Sequence, residues 1–206
     1  MRRPLSQLSK VSEARPAECE FVDKLYWISA ARPPQSHSEA FFFNIDSELV
    51  YEPFNDDFGP LNLASTHKYI RELCRLLADE RYKNHKLFHY TSTKEDKQAN
   101  SAFLMGAFMV VVLKMSAEVV WEAFSPYHKI FKPFRDASYS DVCTYECTIF
   151  HCLAGLEFAQ NLGWYNFKEF DNREYEYYEK VENGDLNWVI PSKFIAFMGP
   201  IDSQPG

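Results

Sequence analysis

The sequence predicts an α/β domain in which a central sheet is flanked by helices. Short apolar runs of strand length stand between segments whose apolar residues recur at helical spacing. Polar stretches that contain Pro or Gly separate these runs, as at residues 32–39 and 56–65. With 206 residues, 46% of them hydrophobic, the chain can bury a core of its own. Strands that alternate with helices are typical of a layered α/β domain.

Three strands are predicted before the first clear helix. Residues 24–30 (KLYWISA) and 40–45 (AFFFNI) are apolar runs of strand length. Asp46 and Ser47 form a turn signal, after which residues 48–54 (ELVYEPF) return as a third strand. We expect the first pair of strands to form a hairpin.

The next elements are a half-buried helix, a short strand and a buried helix. Apolar residues with charged residues between them predict the first helix, at Ile70, Leu73, Leu76 and Leu77. Residues 86–90 (KLFHY) form the fourth strand. The following segment, 101–113, is apolar on nearly every side, so it should lie against the sheet with little solvent contact.

Three helices and a strand complete the chain. Ser116 is placed as the N-cap of a helix over 117–124, and Pro126 ends that segment. The others follow in order: a helix over 143–164, a helix rich in Glu and Tyr over 167–184, and a strand within 186–200 that begins a new unit.

Composition excludes several classes of protein. The formal net charge of -7 argues against general nucleic-acid binding and favours basic partners. The five cysteines include no C-x-x-C pair, which indicates reduced thiols in a cytosolic or nuclear protein. Basic residues at the N-terminus precede no apolar run, so no secretory signal is expected there. The most apolar run, 102–113, is too short to span a bilayer.

The segment around His89 has the layout of a phosphate-binding turn without its chemistry. Cysteine phosphatases place His-Cys, five residues and Arg between a strand and a helix, so that backbone N–H groups and the Arg hold the phosphate. Here Tyr90 stands at the Cys position. The Arg position falls on Asp96 when counted forward, or near Gln98 or Ala99 when counted back from the helix, and neither register supplies an arginine. A phenol is a poor nucleophile at neutral pH, and Asp96 with Glu95 would repel phosphate. We therefore expect no phosphatase chemistry at this turn.

Other motifs are weaker. His151 and Cys152 look like the start of a phosphatase loop, but Phe158 replaces the Arg and the segment has a helical pattern, so Cys152 is interpreted as a small buried residue. His85 and His89 are four residues apart, but on a predicted strand they would not share a helix face, so no metal site is expected. No cofactor is expected either. Asp136 could be a catalytic acid, but pairing with Arg135 or capping of the next turn is the preferred interpretation.

An acidic stretch near the C-terminus is a candidate binding surface. On a helix, Glu176, Glu179 and Glu182 would share one face while Tyr175 and Tyr178 pack inward. A solvated helix face is one interpretation of this pattern. The other is a site for a basic ligand, which would relieve the repulsion between three like charges.

Four strings in the chain carry a family resemblance: YEPFNDDFGPLNLA, PFRDASY, the loop after His89, and EYEYYEKVENGDLNWVIPSKFIAFMGP. Together they resemble the N-terminal half of the dual-specificity protein phosphatases called the cell-division-cycle-fourteen family. The similarity covers nearly the whole chain from about Asp23 onward. Enzymes of this family pair an N-terminal phosphatase-like domain that lacks catalytic residues with a C-terminal domain that carries the His-Cys-x5-Arg loop.

The resemblance implies a role in recognition. The Glu- and Tyr-rich stretch is similar to the family's interdomain linker helix, whose carboxylates receive a basic residue that follows a phosphoserine-proline. The matching positions are Glu176, Glu179 and Asp185, and also Glu182. It implies phosphoprotein substrates and a Cys-dependent C-terminal catalytic domain as partners, a role in the cell cycle, and no nucleic-acid or membrane partner. The chain alone would be inactive.

The expected organisation follows from the same resemblance: a flexible lead-in over 1–20, a phosphatase-like non-catalytic domain over 21–166, an acidic linker helix over 167–187, and the start of a truncated catalytic domain over 188–206. The family resemblance implies a location in the nucleus and cytoplasm, with the nucleolus, centrosome or spindle included. Two alternatives stay open. One is a free-standing pseudophosphatase module that binds basic protein segments, and the other is a small-molecule enzyme that uses the aromatic loop 126–139.

Overall fold

The computed structural model describes residues 24–199, which form two compact units. The first unit ends at Phe158 and the second begins at Ala159. The expected lead-in over 1–20, Cys19 and the last residues of the expected C-terminal unit lie outside the described residues. The organisation into 21–166, 167–187 and 188–206 stays a prediction.

The first unit contains a parallel three-stranded sheet. Its strands are β1 (Leu25–Ser29), β2 (Ala40–Phe43) and β3 (Lys86–Thr91), in the order β1-β3-β2. Both outer strands pair with the last one, so that Trp27 and Phe43 flank His89. The predicted hairpin of the first two strands is therefore wrong, because β3 inserts between them. Local turn chemistry favours a hairpin, whereas parallel pairing depends on a crossover segment distant in sequence.

The third predicted strand, residues 48–54, does not form. The segment is a loop that makes its own side-chain contacts: the Tyr51 hydroxyl donates to Asp57 Oδ2 at 2.5 Å, and the Asn55 N–H donates to Asp57 Oδ1 at 2.8 Å. The turn predicted at Asp46 and Ser47 is present. Apolar content alone thus failed to distinguish a strand from an ordered loop.

Helix α1 (Leu63–Ala78) connects the sheet strands and contains the predicted apolar stripe. Its N-cap is Asn62, whose side chain accepts a hydrogen bond from the Ser65 N–H at 2.8 Å. Ile70 and Leu73 are fully buried, as the spacing predicted, and the helix packs against the next one along the chain.

Helix α2 (Glu95–Val111) is the centre of the core. It begins six residues before the predicted start at Ser101, and every residue from Gln98 to Val111 is buried. It contacts β1, β3 and α1, which confirms the predicted position against the sheet. Trp27 of the sheet is fully buried and donates its indole N–H to Ser101 Oγ at 2.9 Å.

Two further helices follow, and the second of them extends past Phe158. Helix α3 (Ala117–Ala123) has the predicted N-cap, Ser116, and Glu157 accepts a hydrogen bond from the Ala117 N–H at 2.8 Å. A 3₁₀ helix that contains Pro126 follows. Helix α4 (Ile149–Asn161) is shorter than the predicted 143–164, because Cys147 pairs with Phe134 through two backbone hydrogen bonds of 2.8 and 3.0 Å.

The second unit contains one helix and a hairpin. Helix α5 (Asn172–Tyr178) is followed by strands β4 (Leu186–Ile190) and β5 (Phe194–Phe197), which pair antiparallel with Leu186 opposite Phe197. The single strand predicted within 186–200 is thus a pair of strands. Over residues 24–199, no helix is long and apolar enough to cross a membrane.

Candidate functional site

The turn between β3 and α2 has the geometry of an anion-binding turn. β3 ends at Thr91 and α2 begins at Glu95, so three residues connect a buried strand to a helix N-terminus. Free N–H groups at such an end attract negative charge. His89 and Tyr90 lie on β3 and Asp96 lies in the first turn of α2, on either side of this turn.

A carboxylate from a neighbouring loop already uses the donors of this turn. Asp46 accepts a hydrogen bond from the Thr91 hydroxyl at 2.8 Å and another from the Ser92 N–H at 2.9 Å. Burial raises the pKa of Asp46, but these hydrogen bonds outweigh burial and leave that pKa below its usual value. Asp46 is therefore ionised at neutral pH and places a fixed negative charge at the turn. Sequence reasoning assigned Asp46 only to a turn, since its partners are more than 40 residues away.

The first turn of α2 carries two further carboxylates. Glu95 pairs with Lys132 at 2.6 Å, and Asp96 lies 4.0 Å from Lys97. Acidic residues in the first helical turn complement the helix dipole by about 0.3–1 kcal/mol each. Carboxylates of the chain itself, each beside a lysine, thus complement the start of this helix.

His89 and Tyr90 have structural roles. The His89 ring is fully buried, stacks on Phe43 and has its Nδ1 atom 2.9 Å from the Tyr69 hydroxyl. Burial lowers its pKa to about 3, against a smaller opposing effect of the Asp46 charge. Tyr90 is half-buried, and its carbonyl accepts a hydrogen bond from the Asn44 side chain at 2.8 Å. Neither residue can serve as a nucleophile at this turn.

We predict no turnover of a generic aryl phosphate by this chain, because a tyrosine and three carboxylates occupy the turn where a thiolate and an arginine would be needed. The measurement is release of nitrophenol from p-nitrophenyl phosphate at high protein concentration. Turnover that disappears in the Cys152→Ser variant would instead move the chemistry to α4 and contradict this assignment.

The motif at His151 and Cys152 lies on a helix, as the sequence indicated. Both residues belong to α4, away from any strand-to-helix turn. Cys152 is partly rather than fully buried, and its sulfur lies 3.5 Å from the sulfur of Cys147. The predicted burial was therefore only partly correct, and the neighbouring thiol could not be read from the spacing.

Asp136 caps a turn, one of its two predicted roles. Its Oδ2 atom accepts a hydrogen bond from Ser138 Oγ at 3.0 Å. Hydrogen bonds from the Cys143 thiol and from Ser138 lower the pKa of Asp136. Arg135 is instead directed to Asp56, at 3.4 Å, and to the Ser140 carbonyl, at 2.5 Å. These contacts fix the conformation of the aromatic loop. They do not identify Asp136 as a catalytic acid.

The acidic segment, defined as residues 171–185, begins with a well-capped helix. The Asp171 side chain accepts hydrogen bonds from the N–H groups of Arg173 and Glu174 at 2.9 and 3.1 Å. The helix ends at Tyr178, with Glu179 as its C-cap. This helix thus has seven residues, whereas a helix of eighteen residues was predicted over 167–184.

Two breaks divide the acidic segment, so the expected continuous stripe of glutamates is wrong. Lys180 is extended, and a 3₁₀ turn over Val181–Asn183 follows it. The Asn183 side chain donates to the Tyr177 carbonyl at 2.8 Å, which satisfies a helix-end carbonyl and stops the helix. Glu176 therefore lies on α5, Glu179 at its end, and Glu182 on a separate turn. Tyr175 is half-buried as predicted, whereas Tyr178 is 39% exposed.

Asp185 lies in a left-handed backbone conformation next to Gly184. Its φ is 45° and that of Gly184 is 115°. The Asp185 N–H donates to the Lys180 carbonyl, and its own carbonyl accepts from the Met198 N–H, both at 3.0 Å. This conformation costs an L-residue about 1–2 kcal/mol, and Asp is one of the residues that adopt it most readily. The hairpin thus fixes the position of the Asp185 backbone relative to the 3₁₀ turn.

No group of three His, Cys, Asp or Glu side chains within residues 24–199 is arranged to hold a metal ion. His85 precedes β3 rather than lying on it.

Comparison with known proteins gives consistent results. A family model described as dual specificity protein phosphatase, N-terminal half, matches residues 20–159. The dual specificity protein phosphatase CDC14A of Mus musculus is 45% identical over 184 residues, which are 88% of this chain and 30% of that protein. The tyrosine-protein phosphatase CDC14 homolog of Schizosaccharomyces pombe is 38% identical over 189 residues, or 89% of this chain and 35% of that protein. The chain thus spans about a third of the length of these relatives.

Proposed function

The chain belongs to the CDC14 family of dual specificity protein phosphatases, as their N-terminal half, and on that basis we propose that it selects substrates for a catalytic domain outside this chain. In this proposal the second domain hydrolyses phosphoserine-proline and phosphotyrosine through a cysteine. This half supplies a scaffold and an acidic wall for a basic residue that follows the Ser-Pro. A role in cell-cycle regulation and a location in the nucleus and cytoplasm belong to the same proposal.

The non-catalytic turn supports the division of labour. Ionised Asp46 uses the turn's hydroxyl and backbone donors, and Glu95 and Asp96 occupy the helix start. With those carboxylates in place, the strand, turn and helix stabilise the fold. A domain whose turn is occupied by its own carboxylates contributes as a scaffold and by binding the substrate.

The charge of the acidic segment is the observation that carries the proposal. Its fifteen residues contain six carboxylates and two basic side chains, which leaves an excess of four negative charges in a chain of net charge -7. Asp171 is used as a helix cap, and the candidate recognition residues are Glu176, Glu179, Glu182 and Asp185. Concentrated like charge raises the local concentration of a basic ligand and is relieved when that ligand binds.

Burial within the segment favours recognition at Glu176 and Glu179. Both side chains are half-buried, while Glu182 is exposed. A charge pair at the edge of a protein, partly shielded from water, is stronger than one in open solvent. We therefore expect Glu176 and Glu179 to contribute more than Glu182.

The complete gene product carrying Glu176→Gln and Glu179→Gln should lose activity on a basic substrate selectively. For a phosphoserine-proline peptide with Lys at the third following position, we expect kcat/KM to fall about tenfold, or about 1.4 kcal/mol. Turnover of p-nitrophenyl phosphate, which has no basic group, should be unchanged. The measurement is kcat/KM for both substrates at low ionic strength, where screening is weak.

A matched control removes the same charge elsewhere. Glu118 and Glu122 are exposed on α3, one helical turn apart, so Glu118→Gln with Glu122→Gln should leave both rates unchanged. An equal loss in this control would indicate a general charge effect. An unchanged kcat/KM for the basic peptide in the Glu176 and Glu179 variant would indicate that these residues only form a solvated surface.

The alternative of a free-standing pseudophosphatase module predicts a different result for this chain by itself. Such a module would bind a Lys- and Arg-containing peptide in the absence of any catalytic domain. Fluorescence anisotropy with the phosphopeptide and its unphosphorylated form separates the two ideas. Equal binding of both forms by the isolated chain supports the module, whereas binding that requires the second domain supports the proposed division of labour.

A further inference from the structure

Two cysteine side chains in the first unit are in direct contact. Cys147 Sγ and Cys152 Sγ lie 3.5 Å apart, and both residues are partly exposed. The distance is short enough for a thiol hydrogen bond, so one sulfur can donate its proton to the other. This contact has no part in the proposed recognition of substrates.

The backbone on either side of the pair is well fixed. Cys147 is held to Phe134 by two backbone hydrogen bonds, and the Cys152 N–H donates to the Thr148 carbonyl at 3.2 Å. A disulfide has an S–S distance of about 2.05 Å, so closure requires the sulfurs to approach by about 1.5 Å. Rotation of the two short side chains would have to supply this movement, because the backbone at both residues is held by hydrogen bonds.

The two thiols differ in their chemical surroundings. Burial, and then the neighbouring Cys147, raise the pKa of Cys152. Since the thiolate is the nucleophile in thiol chemistry, the raised pKa of Cys152 disfavours it as the first attacking sulfur. The 3.5 Å contact leaves it in reach of Cys147 to complete a reaction that begins there.

We propose that Cys147 and Cys152 are a peroxide-sensitive dithiol that closes reversibly to a disulfide. The Cys147 thiolate attacks a hydroperoxide oxygen, the O–O bond breaks, and a sulfenic acid and an alcohol or water are released after proton transfer. Cys152 then attacks the Cys147 sulfur, the S–O bond breaks, and water leaves as the S–S bond forms. Two electrons pass from the thiols to the peroxide, and a thiol reductant returns them.

Closure would join the start of α4 covalently to the segment paired with Phe134. Phe134 is 1% exposed and packs at the loop around Gly59, so the bond would tie a helix end to the core. The same dithiol should bind a trivalent arsenical, which takes two adjacent sulfurs. These two properties give independent tests of the pair.

The first test maps the bond in the full chain. Protein treated with hydrogen peroxide is alkylated under denaturing conditions and digested with an endoprotease specific for Glu. Cleavage after Glu146 and Glu157 releases residues 147–157, which contain both cysteines and no other, whereas Cys143 is on a different peptide. We expect this peptide to change from two alkyl groups to none, with the loss of two hydrogen atoms, and to recover both groups after reduction.

Three serine variants test the assignment, two of them as controls outside the pair. Cys143→Ser and Cys74→Ser should leave the peptide oxidation unchanged, whereas Cys147→Ser should leave Cys152 fully alkylated. Over-oxidation of Cys147 to a sulfinic acid without a bond to Cys152, or a bond from Cys147 to Cys143, would overturn the proposal.

The second test uses the unmodified protein, so its result does not depend on whether a variant folds. Phenylarsine oxide should protect both cysteines of the 147–157 peptide of the native protein at one arsenic per chain, with Cys74 and Cys143 still alkylated. Independent reaction of the two sulfurs, with no protection by the arsenical, would contradict a dithiol. Neither result depends on the acidic segment, so the proposed function stands or fails separately.

Discussion

Replacing Gly59 with Ala should destabilise the protein by about 3 kcal/mol, as the sum of backbone strain and overpacking. Gly59 has a φ of 155°, a conformation that L-residues rarely adopt. A Cβ atom there would lie 2.6 Å from both Asn100 Oδ1 and the Phe134 ring. Phe134 and Asn100 are 1% and 6% exposed, so neither can move aside freely. The free energy of unfolding in urea, followed by tryptophan fluorescence, measures this effect.

The cost at Gly59 is large because Asn100 already fastens the surrounding loop to α2. Its Oδ1 atom accepts from the Leu61 N–H at 2.9 Å, and its Nδ2 atom donates to the Phe58 carbonyl at 2.6 Å. A methyl group that displaces this side chain leaves buried backbone groups unpaired, at about 1–3 kcal/mol each. The clash and the lost hydrogen bonds thus act in the same direction.

Gly155 is the matched control for this substitution. It lies within α4, and a Cβ atom built there meets no atom within 4 Å. Gly155→Ala should therefore stabilise the chain by up to about 1 kcal/mol, the usual helix preference for Ala. The free energy of unfolding of Gly59→Ala could instead lie within about 0.5 kcal/mol of that of the parent, as for a neutral surface substitution. That result would show that the loop is not packed closely against Phe134 and Asn100.

Acidification from pH 7 to pH 5 should remove about 2 kcal/mol of stability through His89 alone. Burial lowers the pKa of His89 in the folded state to about 3 from the ordinary 6.5. Between these two values the unfolded chain binds a proton that the folded chain does not. The stabilising contribution is therefore complete above pH 6.5 and is lost progressively as the pH falls toward 3.

The His89→Gln variant isolates this effect, because glutamine does not titrate. Its free energy of unfolding should change less between pH 7 and pH 5 than that of the parent, by about 2 kcal/mol. His37→Gln, which removes an exposed ring, is the matched control for the loss of a histidine. Equal pH dependence in the parent and the His89→Gln protein would contradict the burial of an uncharged His89.

NMR of the parent protein supplies a check that does not depend on a variant folding. The His89 ring is in contact with Phe43 and Tyr69 and should show no protonation shift above pH 4. A midpoint near pH 6.5 for that ring would show that it is accessible to water.

Much of the first unit could be predicted from local patterns. The stripe at Ile70 and Leu73 identified α1, Ser116 identified the start of α3, and the apolar run after Ser101 identified the buried α2. Each prediction depends on residues within a few positions of one another, where periodicity and capping chemistry act. The family also follows from continuous strings of sequence, and the comparisons confirm it.

The errors arose where the outcome depended on residues distant in sequence. Two apolar runs separated by a polar linker suit a hairpin, but β3 pairs with both and separates them. Residues 48–54 have the composition of a strand, but no strand edge receives them and Asp57 holds the loop. The Glu-rich helix is the exception, since it ends early through a nearby contact: Asn183, six residues on, donates a hydrogen bond to the Tyr177 carbonyl.

The sequence by itself determined that this chain has the layout of a phosphatase half without its nucleophile, since Tyr90 and Asp96 occupy the positions of the Cys and the Arg. Only the tertiary structure decided what fills the turn, because Asp46 reaches Thr91 and Ser92 across the sheet edge. It also decided that Cys147 and Cys152 meet, since Cys147 is placed by its pairing with Phe134. Composition and spacing record which groups are available, whereas long-range contacts decide which of them come within bonding distance.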